Sequence, residues 1–351
     1  MMVAVDPKYL RCSNFSSRVI RKRRKRLMDN TNMEQITEPV EGVFRIPIPV
    51  PLPLKYLYSY AITLGSQYLI VDLGMDTEEA QQAWKNASQY LGLKPGRVKA
   101  VFITHFHPDH VGLAQFASQL WDTPVFMWEK ELQTVYQVFD QSPAPLTPFF
   151  TYHGMPRDLA EYLDQERWLT RWVVKLPHNP PIQALDPAQT WGPFQLLDQA
   201  GHTDHQLLLY WAERKLLFTG DQVLSRITPN ISYWPDADPD PLASYLQSLQ
   251  QLEALPVSLG LAAHEALIED VPQRIQELLA HHEDRARRIV ELLTTPQTAF
   301  EVAQHLFTRP LTRFQWRFAV SETLAHLEYL RRRHQIMFED AKTHGLYLAV
   351  R

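Results

Sequence analysis

Hydrophobic and polar positions along the chain divide it into short segments of contrasting period. Val43–Ile48, Tyr56–Leu64 and Gln67–Asp72 are β-branched or aromatic runs broken by proline and Gly-Ser, which predicts three strands joined by turns. Asp76–Leu91 carries Ala80, Ala83, Trp84, Ala87 and Leu91 at the spacing of one helix face, and Gly92 and Pro95-Gly96 end it. A buried-type strand follows at Val98–Thr104, then a histidine-rich loop, a helix from near Val111 and a strand at Val125–Trp128. Residues 129–172 read as mostly helical around a break at Pro143, Pro145 and Pro148. Strand-like runs return at Phe194–Gln199, Gln206–Trp211 and Lys215–Thr219, followed by a helix at Pro241–Leu255 and a strand at Val257–Leu261. Mixed strands and helices in this order predict the layered α/β class. From Val271 the period is helical, over 271–293, 298–307 and 315–333, and Ile336–Phe338 with Leu346–Val350 predict a closing hairpin.

Charge separates three regions: a basic tail over 1–33, a body over 34–284 with a helical insertion at 129–172, and a module over 285–351. Residues 1–33 hold nine Lys/Arg against two Asp, including Arg21-Lys22-Arg23-Arg24-Lys25-Arg26; the body holds 15 basic against 31 acidic side chains; the last module holds 11 against 6. The first region is read as a disordered tail or an over-long start ahead of Met28 or Met33, with a nucleic-acid arm or nuclear address as the alternative. It lacks the apolar core of a secretory signal, and no run reaches the ~18 apolar residues of a membrane helix, so a cytoplasmic location without membrane partners is expected. Cys12 is the single cysteine, which excludes an internal disulfide framework and a thiolate cluster. Phosphate-cradling glycine loops and a Gly-x-Ser-x-Gly elbow are absent, leaving ATPase, dinucleotide and serine-hydrolase readings without support.

The chemistry concentrates in Thr104-His105-Phe106-His107-Pro108-Asp109-His110 at the end of a hydrophobic strand. In an extended loop His105 and His107 project to one side and grip one metal, while Asp109 and His110 face a second position. Imidazole and carboxylate together suit zinc, iron or manganese. Gly201-His202-Thr203-Asp204-His205, Thr219-Gly220-Asp221 and Ala262-Ala263-His264-Glu265 each follow a predicted strand. Each alone is an ordinary loop; their joint occurrence predicts two neighbouring sites with a carboxylate able to bridge.

These residues resemble the metallo-β-lactamase superfamily, whose pattern is His-x-His-x-Asp-His followed by a His, an Asp and a final His. The resemblance covers roughly Gly42 to His282. It implies an αβ/βα sandwich with a C-terminal helical, winged-helix-like domain. It also implies two divalent ions, zinc first: His105, His107 and His202 on one, Asp109, His110 and His264 on the other, Asp221 bridging. Asp221-Gln222-Val223-Leu224, Pro229-Asn230-Ile231-Ser232 and the C-terminal helices resemble the glyoxalase-II-like branch, which includes a β-lactamase-like endoribonuclease. His205 stands where many relatives have a small residue.

The expected activity is attack by a metal-bridging hydroxide on a small acyl ester or thioester, with Asp109 and Asp221 as catalytic residues. His205, Tyr152 of the aromatic insertion and Tyr233 of Ile231-Ser232-Tyr233-Trp234 are the candidate substrate contacts. The alternatives are a phosphodiesterase acting on single-stranded RNA and a DNA-binding regulator using the hydrolase fold as sensor. The basic C-terminal module, with Arg331-Arg332-Arg333 at a helix end, serves either of these or a homodimer surface.

Overall fold

The computed structural model describes residues 35–350, apart from 141–143, 180, 187 and the side chains of 167–171. The basic tail, Cys12 and Pro143 lie outside the described residues.

Four antiparallel strands start the fold: β1 (Thr37–Val40), β2 (Val43–Pro49), β3 (Tyr56–Leu64) and β4 (Gln67–Val71). Pairing of β1 with β2 ends at Thr37 opposite Arg45, so among the described residues Pro47 and Pro49 fall where β2 has no neighbour on that side and no ladder bond is lost. Helix α1 (Glu78–Leu91) is capped by Thr77, whose side chain accepts from the Ala80 N–H at 3.2 Å, and ends at Gly92 in the left-handed conformation. It buries Ala80, Trp84 and Ala87 on the sheet; the Trp84 ring meets Trp121 edge-on at 5.0 Å.

After α1 the sheet turns parallel. Strand β5 (Val98–Phe102) is followed by the one-turn α2 (Pro108–Val111), α3 (Ala114–Trp121), β6 (Val125–Met127), α4 (Glu129–Phe139), α5 (Thr147–Tyr152), α6 (Arg157–Leu169) and β7 (Gln183–Ala184). The first sheet is thus seven-stranded in sequence order. The second contains β8 (Phe194–Gln199), β9 (Gln206–Trp211), β10 (Leu216–Gly220) and, after α7 (Pro241–Glu253), the parallel β11 (Leu259–Ala262), in spatial order β11-β10-β9-β8.

The two sheets face each other over Tyr60, Ile62, Phe102, Leu207, Leu209 and Phe218. On the outer face of the first sheet α1 and α3 bury a second core, and on the outer face of the second sheet α7 and α8 (Val271–Leu292) bury another. This is a helix–sheet–sheet–helix sandwich, and the C-terminal ends of the parallel strands in both sheets open on one edge.

Helix α8 continues past residue 285 to Leu292 and is followed by α9 (Ala299–Leu306), α10 (Gln315–Arg332) and a hairpin of β12 (Ile336–Asp340) and β13 (Gly345–Ala349). The capping box of Thr298 and Glu301 starts α9. Phe150, Leu159 and Leu163 of α5 and α6 share a core with this region, so the second half of the insertion packs on the C-terminal helices. Helix α10 is buried from Ala319 through Glu328, a stretch including Ser321, Glu322, Thr323 and His326.

Candidate metal centre

Every candidate ligand sits where a strand ends at the open edge. Strand β5 delivers the loop with His105, His107, Asp109 and His110; the β8–β9 turn delivers His202; β10 and β11 deliver Asp221 and His264. Gly201 makes the β8–β9 turn possible. Its φ is 134°, and a Cβ there would lie 2.5 Å from the Tyr245 side chain.

The structure brings all seven candidate metal residues into one cluster. His105 Nε2 and His202 Nε2 lie 2.9 and 3.0 Å from His107 Nδ1. That spacing is close to the about 3.3 Å that tetrahedral zinc–nitrogen bonding requires between ligands. A donor atom from each of His105, His107 and His202 falls within 4.8 Å of the others; the same holds for Asp109, His110 and His264, and for His105, His110 and Asp221. Asp221 Oδ1 faces His110 Nε2 at 3.6 Å and His264 Nε2 at 3.5 Å, whereas its Oδ2 faces His202 Nε2 at 3.6 Å. Asp109 Oδ2 is 3.3 Å from His264 Nε2. His105, His110 and His264 are fully buried, while His107 and Asp109 are half-buried and mark the mouth.

The outer nitrogens of these rings are anchored. His110 Nδ1 meets Asp72 Oδ2 at 2.8 Å, and Asp72 also accepts from the Thr104 N–H at 2.8 Å and the Thr104 hydroxyl. His202 Nδ1 donates to the Asn230 carbonyl and His264 Nδ1 to the Tyr56 carbonyl, both at 3.0 Å. These bonds put the ring proton on the outside and leave Nε2 bare toward the centre. There His110 Nε2, His264 Nε2 and Asp221 Oδ1 are buried with no hydrogen-bond partner among the described residues. Lone pairs and carboxylate oxygens converging without a donor fit a divalent cation, and the borderline-to-hard donor set suits zinc, iron or manganese.

Electrostatics without an ion express the same convergence. Burial, reinforced by the neighbouring histidines, pushes His105 and His107 well below the usual imidazole range and His202 down to about 4. Burial opposes a charge on His110 and His264 as well, yet Asp72, Asp221 and Asp109 outweigh it around His110, and Asp221 and Asp109 around His264, so both are raised. Burial likewise disfavours charge on Asp109 and Asp221, and the facing histidines overcome it and hold both carboxyls below their ordinary range.

The three candidate substrate contacts have partners of their own outside the seven ligands. His205 turns its Nδ1 to Asp198 at 2.9 Å. Tyr152 is half-buried against His153, its hydroxyl meeting Asp340 of the hairpin. Tyr233 is half-buried with its ring 6.3 Å from Phe149. Two residues that reading the chain missed support the centre. Asp72 ends an apolar run, a place where a buried carboxylate is conspicuous. Glu131 of α4 is buried, accepts from the Phe106 N–H at 2.9 Å and the His205 N–H at 3.2 Å, and is pushed up by burial to about 7.

The description "Metallo-beta-lactamase superfamily" matches residues 54–264. The chain belongs to that superfamily. It is a metal-dependent hydrolase of the superfamily's α/β fold, and residues 286–344 match the "Metallo-beta-lactamase-like, C-terminal domain". Among solved structures it is similar to a metallo-beta-lactamase family protein of Thermus thermophilus. The identity is 32%, over 89% of this chain and 99% of that one, with a TM-score of 0.76. A beta-lactamase domain protein of Burkholderia ambifaria is 26% identical over 90% and 93%, with a TM-score of 0.78. The Bacillus subtilis protein named "Probable metallo-hydrolase YqjP" is 25% identical over 76% of this chain and 85% of its own. An atrochrysone carboxyl ACP thioesterase of Aspergillus fumigatus is 23% identical over 66% and 58%. No helix among the described residues is long and apolar enough to cross a membrane.

Proposed function

We propose that the protein is a dinuclear hydrolase of small acyl esters or thioesters. The observation that carries the dinuclear reading is Asp221, whose two oxygens divide between the His110–His264 side and His202. In this reading His105, His107 and His202 hold one ion, Asp109, His110 and His264 hold the other, and Asp221 spans both. Two bound divalent ions, zinc by preference and iron or manganese as alternatives, supply Lewis acidity and a lowered pKa for water. Asp109 at the half-buried mouth accepts a proton from the attacking water and returns it to the leaving group. Asp72, Asn230 and Tyr56 keep the three histidines turned inward.

The acyl preference is supported by the thioesterase relative and by the aromatic side chains of Phe149, Phe150, Tyr233 and Trp234, which adjoin the loop that supports His202. His205, Tyr152 and Tyr233 remain the substrate contacts of this proposal. We assign residues 34–284 to the catalytic domain of a glyoxalase-II-like branch and 285–351 to a winged-helix-like domain, in a cytoplasmic protein. The RNA and DNA readings have less behind them. At the end of α10, Arg331 pairs with Glu328 at 2.6 Å and Arg333 with Asp240 at 2.9 Å, which removes charge that a phosphate backbone would need.

The test is turnover of an acyl-glutathione and acyl-CoA panel by metal-replete protein beside Asp221→Ala, with metal content measured on both. Turnover lost in the variant supports the proposal. No turnover by a protein holding two ions overturns the acyl reading, and a variant that keeps two ions and full turnover overturns the bridging role.

A further inference from the structure

We propose that Ser321, on α10 of the C-terminal domain, is a positioning residue for His202. This rests on the reading of His202 as a metal ligand. The route is a directed chain of hydrogen bonds. His202 Nδ1 donates to the Asn230 carbonyl at 3.0 Å. The Asn230 amide donates to Ser232 Oγ, Ser232 Oγ lies 3.0 Å from Ser321 Oγ, and Ser321 Oγ lies 3.2 Å from the Phe318 carbonyl. Each hydroxyl has one proton, and one arrangement uses them all: Asn230 to Ser232, Ser232 to Ser321, Ser321 to Phe318. A second bond runs parallel, from the Tyr233 N–H to the Ser321 carbonyl at 3.0 Å.

Burial makes this chain consequential. Ser321 is fully buried and Asn230 is 5% exposed, so water does not replace a lost partner easily. Ile231, between the two anchor points, is fully buried in the core under α7 and α8. That apolar anchor fixes the depth of the segment but leaves its rotation free, and rotation decides whether the Asn230 carbonyl points at His202. The polar chain sets it, and its far end is 89 residues from Ser232 on a different domain.

A matched control lies one turn-face away. Thr323 is also buried on α10, but its hydroxyl bonds to the Ala319 carbonyl at 2.8 Å within the same helix. Deleting it removes a buried hydroxyl without touching the route to His202.

The experiment measures zinc affinity of metal-free full-length protein by chelator competition, with far-UV circular dichroism confirming folding. The proposal expects Ser321→Ala to weaken one of two zinc equivalents about tenfold, as partners of metal-ligating histidines do. It expects Ser321→Thr to restore affinity to within about twofold, and Thr323→Ala to lower thermal stability while leaving zinc affinity unchanged. Ser232→Ala should match Ser321→Ala, the double variant being no weaker than either; it carries the test if Ser321→Ala does not fold. Ser321→Ala at parental affinity, or Thr323→Ala weakening zinc equally, overturns the proposal. If His202→Ala keeps both equivalents at parental affinity, the metal-ligand reading fails and takes the proposal with it. If His202→Ala loses zinc and Ser321→Ala does not, the proposal alone fails.

Discussion

Asp72 Oδ2 lies 2.8 Å from Nδ1 of His110, and both side chains are buried, Asp72 just past the end of β4 and His110 on α2. The Asp72 carboxylate also takes the backbone and hydroxyl protons of Thr104, the residue that starts the histidine loop. One side chain therefore sets both the ring of His110 and the point where the loop leaves the sheet. Asp72→Asn keeps the shape but offers an amide where a charged acceptor stood. The expected result is a 10–100-fold loss of affinity for one metal equivalent, read by chelator competition, with the melting temperature of the metal-free protein changed far less.

Metal loading at pH 7 releases protons. The carboxylates around His110 and His264 raise both above the ordinary imidazole value, which favours an extra proton on each ring in the metal-free protein, and a ring that carries it gives it up to serve as a ligand. Affinity therefore falls as pH falls. Titration calorimetry in two buffers of different ionisation enthalpy should return a net release of protons; equal heats in both buffers would contradict the assignment.

Glu131 ties two histidine loops together with one carboxylate, accepting from Phe106 on one and His205 on the other. In Glu131→Gln one of these N–H groups meets an amide N–H in place of an oxygen, leaving a buried donor unpaired at about 1–3 kcal/mol. Both stability and first-ion affinity should drop, and Glu131→Ala should do no better. Urea unfolding with and without zinc separates the two effects.

A second histidine cluster, remote from the centre, makes the fold sensitive to acid. His326 and His282 are buried with rings stacked at 5.2 Å and nitrogens 3.2 Å apart, beside His281 and the Arg285–Glu322 pair. Burial first, then Arg285, holds His326 down to about 3. The unfolded chain takes up this proton below pH 6.5 and the folded chain does not, so stability is intact above that value and falls between pH 6.5 and 3. From pH 7 to 5 the loss attributable to His326 is about 2 kcal/mol. Urea midpoints at both pH values, in chelator, should show that His326→Leu flattens this dependence by about that amount.

The legible parts of the chain were those whose cause is local. Phe194–Gln199 and Gln206–Trp211 begin and end as strands where their apolar runs do. The seven centre residues stood out because each follows such a run. β1 and the two-residue β7 escaped notice, being short, exposed edge pieces held by a neighbour strand. Asp72, Glu131 and Ser321 escaped for a related reason. Their partners lie 38, 25 to 74, and 89 residues away, and nothing in their immediate surroundings names those partners.

The spread of the ligands along the chain also sets when the protein can mature. A ribosome delivers His105, His107, Asp109 and His110 together, His202 and Asp221 well after them, then His264, and α10 later still. An ion that meets the nascent chain at that first stage finds three imidazoles and one carboxylate, and none of the sheet-to-sheet packing that aligns the other three residues. The complete ligand set therefore exists only in the finished fold. Which divalent ion fills that set is then a question of supply as much as of ligand chemistry, since the donor set alone does not select among them.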